Sequence, residues 1–198
     1  KSLSQISIPL KHARKNDLTL QDIFIYPDLE PLDGFENRYE QYMDSEQIIS
    51  NTDSAKVLIL EGDNQSGKTS LLNMLYLSYY RKGIYPILLQ GKDLKRPDLA
   101  TYVKKEYKRQ YLSNDYSFEK YFQLDKDKRV ILIDNFDGSE LNNAGKSALL
   151  DNALNNFDKV IAINGQQLNI KSMLIHTSNE KDIKRYRIVS LGYKKRNM

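Results

Sequence analysis

Apolar residues gather in five short runs along an otherwise polar chain: Val57 to Leu60, Ile84 to Gln90, Val130 to Ile133, Val160 to Ile163 and Tyr186 to Leu191. Each has the length of a strand, and an unbroken apolar run suits a strand buried on both faces. Between these runs the apolar positions recur at helical spacing. Leu71, Leu72, Leu75, Tyr76 and Tyr79 predict a helix from Lys68 to Lys82, ended by Gly83. Pro97 introduces another, Asp98 to Tyr111, with Leu99, Tyr102, Val103 and Tyr107 inward and Lys104, Lys105, Lys108 and Arg109 outward. A short helix is expected over 117–124 and a longer one from Ser147 to Phe157, carried by Leu149, Leu150, Ala153, Leu154 and Phe157. Strand alternating with helix predicts an α/β fold, a three-layer αβα sandwich with a mostly parallel central sheet and right-handed crossovers.

The first strand and first long helix are joined by Gly62-Asp63-Asn64-Gln65-Ser66-Gly67-Lys68-Thr69, which matches G-x-x-x-x-G-K-[ST] with both flanking elements in place, the P-loop of an NTPase fold. The glycines let the backbone turn tightly and bring its N–H groups against phosphate oxygens at the positive end of the helix, where Ser70 follows. Lys68 can reach the β- and γ-phosphates, and the Thr69 hydroxyl can ligate a magnesium ion. Such a loop calls for an acidic residue at the end of another strand. Arg129-Val-Ile-Leu-Ile-Asp134 supplies one, with Asp134 as the carboxylate on the metal side. Lys159 to Asn164 also ends in a polar residue at the carboxyl edge of the sheet, where ligands of such folds bind.

Outside this core the pattern is less regular. Residues 1–16 read as an extended basic arm. Leu18, Leu20, Ile23, Phe24 and Ile25 form an apolar set closed by Pro27, readable either as a cover for a nucleotide base or as a peripheral strand. Phe35, Tyr39, Tyr42, Ile48 and Ile49 among acids suggest an irregular helix over 33–50, and 166–176 reads as helix or loop.

At 198 residues the chain suits one α/β domain. It has no cysteine, which excludes disulfides and Cys-based zinc sites and fits a cytoplasmic protein. His12 and His176 show no ligand spacing, and no apolar run reaches the roughly 20 residues of a membrane span. The net charge of +4 permits polyanion binding, and the lysines and tyrosines of 98–111 could touch nucleic acid, although a solvated helix face is the favoured reading.

With both motifs placed, the chain resembles the nucleotide-binding domain of a STAND-type NTPase, closest to the NACHT group, over roughly Leu18 to Arg196. That resemblance implies ATP or ADP with Mg2+ as cofactors and a slowly hydrolysing switch, in bacterial defence for example. It implies effector and sensor domains elsewhere in the same chain and homo-oligomerisation on activation. Residues 1–50 would be the arm and lead-in, 51–191 the core, and 192–198 the start of a truncated downstream helical domain. Asp134-Asn135-Phe136-Asp137-Gly138 departs from the family pattern at Asn135, where a small residue is usual, and at Gly138, where a second acid is usual. Asp137 would orient or deprotonate the attacking water, and Asn164 would occupy the sensor position. An AAA+ or archaeal-type DNA-associated ATPase shares both motifs and is the alternative, although a convincing arginine finger is lacking, with Arg185 or Arg187 left as candidates. A small-molecule kinase lacks an evident arginine-rich lid, and a scaffold that has lost the nucleotide fits poorly with intact Lys68, Thr69 and Asp134.

Overall fold

The computed structural model describes residues 18–32, 42–50, 55–111, 117–165 and 183–189. The expected arm, the two histidines, the 166–176 stretch and the 192–198 tail lie outside them. In chain order the elements are α1 (Leu20–Ile23), β1 (Asp28–Pro31), β2 (Met43–Asp44), α2 (Gln47–Ser50), β3 (Val57–Glu61) and α3 (Lys68–Arg81). They continue with β4 (Tyr85–Gln90), α4 (Leu99–Gln110), α5 (Phe118–Gln123), β5 (Arg129–Asp134), α6 (Asn143–Asn156), β6 (Lys159–Asn164) and β7 (Ile183–Ile188).

The strands form one seven-stranded sheet in the order β2-β1-β7-β3-β6-β5-β4. From β7 to β4 all neighbours are parallel, while β1 pairs antiparallel with both β7 and β2. This is the α/β P-loop NTPase fold, with the glycine-rich loop following a central strand. Every residue of β5 and β6 is buried, as their unbroken apolar runs require when helices cover both faces. One face packs Val57, Ile59, Ile131 and Ala162 against α4 and α6 through Val103, Leu149 and Leu150. The other packs Leu58, Leu60, Leu132 and Ile161 against α3 through Leu71, Leu72 and Leu75.

Three expectations are corrected. The helix expected from Ser147 begins at Asn143, because Asn142 caps it by accepting the Gly145 N–H at 2.8 Å; a polar cap and first turn leave no apolar period to read. The last strand runs over Ile183–Ile188 rather than 186–191, its start hidden by the consecutive charges of Lys184 and Arg185. Within 33–50, the described part is strand β2 followed by the single turn α2. The two strands β1 and β2 were not foreseen: β1 buries only Leu29 and is held by pairing with β7.

Candidate functional site

The loop leaves β3 at Glu61, whose carboxylate accepts from Arg185 of β7 at 2.7 Å, fixing the strand end from which the loop springs. Gly62 is buried, and a Cβ there would stand 2.6 Å from Ser66 Oγ, so a larger residue would have to turn the Ser66 side chain away. Gly67 is required by conformation, at φ +83, and Gln65 is also left-handed at φ 65. Such turns direct successive amides into a concavity suited to an anion. Helix α3 starts immediately after it, with no acidic residue in its first turn to occupy the positive end.

Lys68 folds back over this concavity, donating to the carbonyl oxygens of Gly62, at 2.8 Å, and Asp63. The Thr69 hydroxyl donates to Asp134 Oδ2 at 3.0 Å, joining the loop after β3 to the end of β5, 65 residues later. Among the described residues no group of three or more His, Cys, Asp or Glu side chains could hold a metal by itself. A hydroxyl and a carboxylate in contact nevertheless match a cation that takes few protein oxygens and completes its shell with phosphates and water.

After Asp134 the chain turns through Asn135, at φ 53, into a 3-10 turn over Phe136–Gly138. Asparagine is among the few non-glycine residues that tolerate the left-handed region, so the departure from a small residue keeps the backbone requirement. The second departure is linked to it: a Cβ at Gly138 would stand 2.2 Å from Asn135 Nδ2. Asp137 Oδ2 accepts the Gly165 N–H at 2.8 Å, while its Oδ1 is buried without a hydrogen-bond partner. Asn164, the residue before Gly165, is fully buried and neither atom of its amide group is paired. The structure therefore brings Asp137 and Asn164 together at the ends of β5 and β6, and Thr69 to Asp134. Asp63 and Asn64 lie exposed on the loop, Ser66 Oγ is buried and unpaired, and Ser70 sits in the first turn of α3.

Beside the loop lies a pocket of about 240 Å³ lined by Leu20, Ile23, Phe24, Ile25, Pro27 and Val189, with Ser66, Gly67 and Ser70 on the loop side. The lead-in segment is thus an apolar wall next to the anion concavity rather than a strand. Neither the N–H nor the C=O of Ile25 makes a hydrogen bond among the described residues. The sequence pattern named Ile25 as part of the apolar cover but gave its backbone no role, because a free peptide group leaves no trace in a side-chain pattern. Arg185 and Arg187, the candidate fingers, are turned toward Glu61 and Glu30 of their own chain. Among the described residues no helix is long and apolar enough to cross a membrane.

No family model and no curated protein matches this chain. Solved structures similar to it include the replication initiator DnaA bound to AMPPCP and single-stranded DNA, with 15% identity, a TM-score of 0.46, and 77% of this chain covered against 46% of that one. AMPPCP-bound DnaA from Aquifex aeolicus gives 16% and 0.44 with the same coverage, and C. elegans PCH-2 gives 15% and 0.36, covering 72% and 39%. The chain spans less than half the length of each, and likenesses this distant settle nothing beyond the fold already described.

Proposed function

We propose that this domain is an ATP-binding, magnesium-dependent switch of the STAND/NACHT type. The observation that carries the reading is the 3.0 Å contact between Thr69 and Asp134 beneath a glycine-shaped anion cradle. In this reading the amides of Gly62 to Ser70 hold the phosphates, and Lys68 exchanges its loop carbonyls for the β- and γ-phosphates. Thr69 and Asp134 would hold Mg2+, which would supply positive charge to the bound phosphates. The Leu20-to-Pro27 wall takes the base, and the free Ile25 C=O accepts from the adenine amino group, where guanine would present a second acceptor.

Asp137 and Asn164 stand where a terminal phosphate and its attacking water would be read. Asp137 has one oxygen tied to Gly165 and one free, and Gly138 leaves no room for a second acid while Asn135 keeps its position. One carboxylate with a neutral amide favours slow turnover, which suits a switch whose output is the conformational preference of flanking domains. A DNA-associated ATPase remains the second reading, favoured by the exposed Lys104, Lys105, Lys108 and Arg109 on α4; it requires salt-sensitive DNA binding.

The test is the melting temperature with ATP, ADP and GTP, with and without Mg2+, for the native chain and Lys68→Ala. Adenine nucleotide at 100 times its Kd should stabilise the native fold by about 2.7 kcal/mol. Lys68→Ala should lose that shift while melting like the native chain without nucleotide, since Lys68 holds only its own loop. No shift with any nucleotide would overturn the reading.

A further inference from the structure

The Leu20-to-Pro27 wall buries little of itself. Helix α1 has no buried residue, and Ile23 is 40% exposed although it lines the pocket. A single helical turn is not stable alone, so what places it must lie outside it. Locally the turn is tight: Thr19 N–H donates to Asp22 Oδ2 at 2.7 Å and Phe24 N–H to the Leu20 carbonyl at 2.9 Å, so Thr19 to Phe24 move as a body. From Pro27 onward the backbone is held, because the Pro27 carbonyl accepts the Ser45 N–H at 3.1 Å and β1 follows.

Two side-chain contacts tie the wall to α3. Arg81 Nη2 donates to Gln21 Oε1, between Leu20 and Ile23 of the pocket lining. The Tyr26 and Ser78 hydroxyls share a half-buried hydrogen bond of 3.1 Å. The Tyr26 ring meets that of Phe24 edge to face, centroids 5.2 Å apart, and Phe24 lines the pocket. Ser70, Ser78 and Arg81 fall on one side of α3, with Ser70 at the pocket and the other two about two and three turns further on. The helix that begins at the loop therefore also carries the contacts that set the opposite wall.

We propose that Ser78 and Arg81 are positioning residues for the base: they clasp Tyr26 and Gln21, so that the apolar wall stands at a fixed distance from Gly67 and Ser70 and the pocket is formed before a ligand arrives. The proposal rests on the nucleotide reading, in which that pocket takes the base. Neither residue lines the pocket, so each acts through the side chains that do.

Dissociation constants for ATP and for inorganic tripolyphosphate, both with Mg2+, are measured on the native chain, on Ser78→Ala/Arg81→Met and on Ser78→Thr. Tripolyphosphate presents the phosphates without the base. The double variant should weaken ATP about tenfold, because binding must then also place the wall, and leave tripolyphosphate unchanged. Ser78→Ala alone should give about a threefold loss, which serves if the double variant fails to fold. Ser78→Thr keeps the hydroxyl and should bind ATP like the native chain. Equal losses for both ligands would mean damage to α3 and the loop, and unchanged ATP affinity would mean an idle clasp; either overturns the proposal. A native chain that binds neither ligand sinks the nucleotide reading, and the clasp is then judged without ligand. The chain has no tryptophan, so Ile23→Trp supplies a lone reporter. Its fluorescence anisotropy should fall when Ser78→Ala/Arg81→Met is added, and no fall overturns the clasp.

Discussion

The two ends of the central sheet are built on opposite terms. At the carboxyl ends of the strands, buried polar atoms stand without partners among the described residues: Ser66 Oγ, Asp137 Oδ1 and both amide atoms of Asn164. At the amino ends, polar groups are matched. Tyr111 donates to the Pro86 carbonyl at 2.8 Å, Tyr79 to that of Ile48 at 3.1 Å, and Lys56 meets Asp158 at 2.7 Å. Gln110 satisfies both the N–H and the C=O of Leu88 on edge strand β4, which blunts an edge that could otherwise pair with another chain. An unpaired buried polar group costs stability, so leaving several at one end makes sense only if something else completes them. The amino end holds the fold, and in the nucleotide reading proposed above the carboxyl end gives up stability for binding.

The contrast is broken most strongly by alkali. Burial raises Tyr79, Tyr111 and Tyr121 above the ordinary phenol range, with Asp158 adding to the first and Tyr76 to the second, while Arg129 partly offsets the third. For a group whose folded pKa lies above its unfolded value, the stabilisation is complete below the unfolded pKa, near 10, and is lost as pH rises beyond it. Each of the three should withdraw up to about 1.4 kcal/mol per pH unit above 10. The tyrosinate absorbance of these three buried rings should therefore appear only together with loss of the fold, and their independent titration in a folded chain would contradict it.

Asn164→Leu sharpens the comparison from the other end. It removes an amide with no hydrogen-bond partner among the described residues and keeps its branching at Cγ, so it should stabilise the nucleotide-free chain by about 1–2 kcal/mol in urea unfolding. The same change should weaken hydrolysis or discrimination of ATP from ADP. Destabilisation by Asn164→Leu would mean that its amide is already satisfied.

How much of this was legible follows the same division. The core strands and α3 could be read because long apolar periods and a spaced glycine motif agree at every level. Strand β1 could not, since Asp-Leu-Glu-Pro offers one apolar residue and is held by β7, a partner more than 150 residues away. Thr69 and Asp134 were legible as a pair because the motif names both. The burial of Lys146 was missed, although a signal existed: it stands three and four residues before Leu149 and Leu150, on the apolar face of α6. A helix expected to begin only at Ser147 left that charged residue outside the buried register.

Arg129 is the exception at the amino end and gives the smallest expected effect. It is 7% exposed, its Nε and Nη1 lack hydrogen-bond partners, and burial lowers its pKa. The rings of Tyr121, Phe122 and Phe157 surround its guanidinium at 6.0, 5.2 and 5.6 Å. Desolvated cation–π contacts contribute about 2 kcal/mol, and unsatisfied buried donors cost about 1–3 kcal/mol, so the two nearly cancel. Methionine keeps the length, fills the cage and makes sulfur–aromatic contacts of about 0.3–1.5 kcal/mol. Arg129→Met should thus change stability by less than about 1 kcal/mol, on the stabilising side, because it removes the unpaired donors and keeps the packing. A loss above about 3 kcal/mol in urea unfolding, the cost of breaking a buried ion pair, would place an anion against Arg129 and make the amino end polar by design as well.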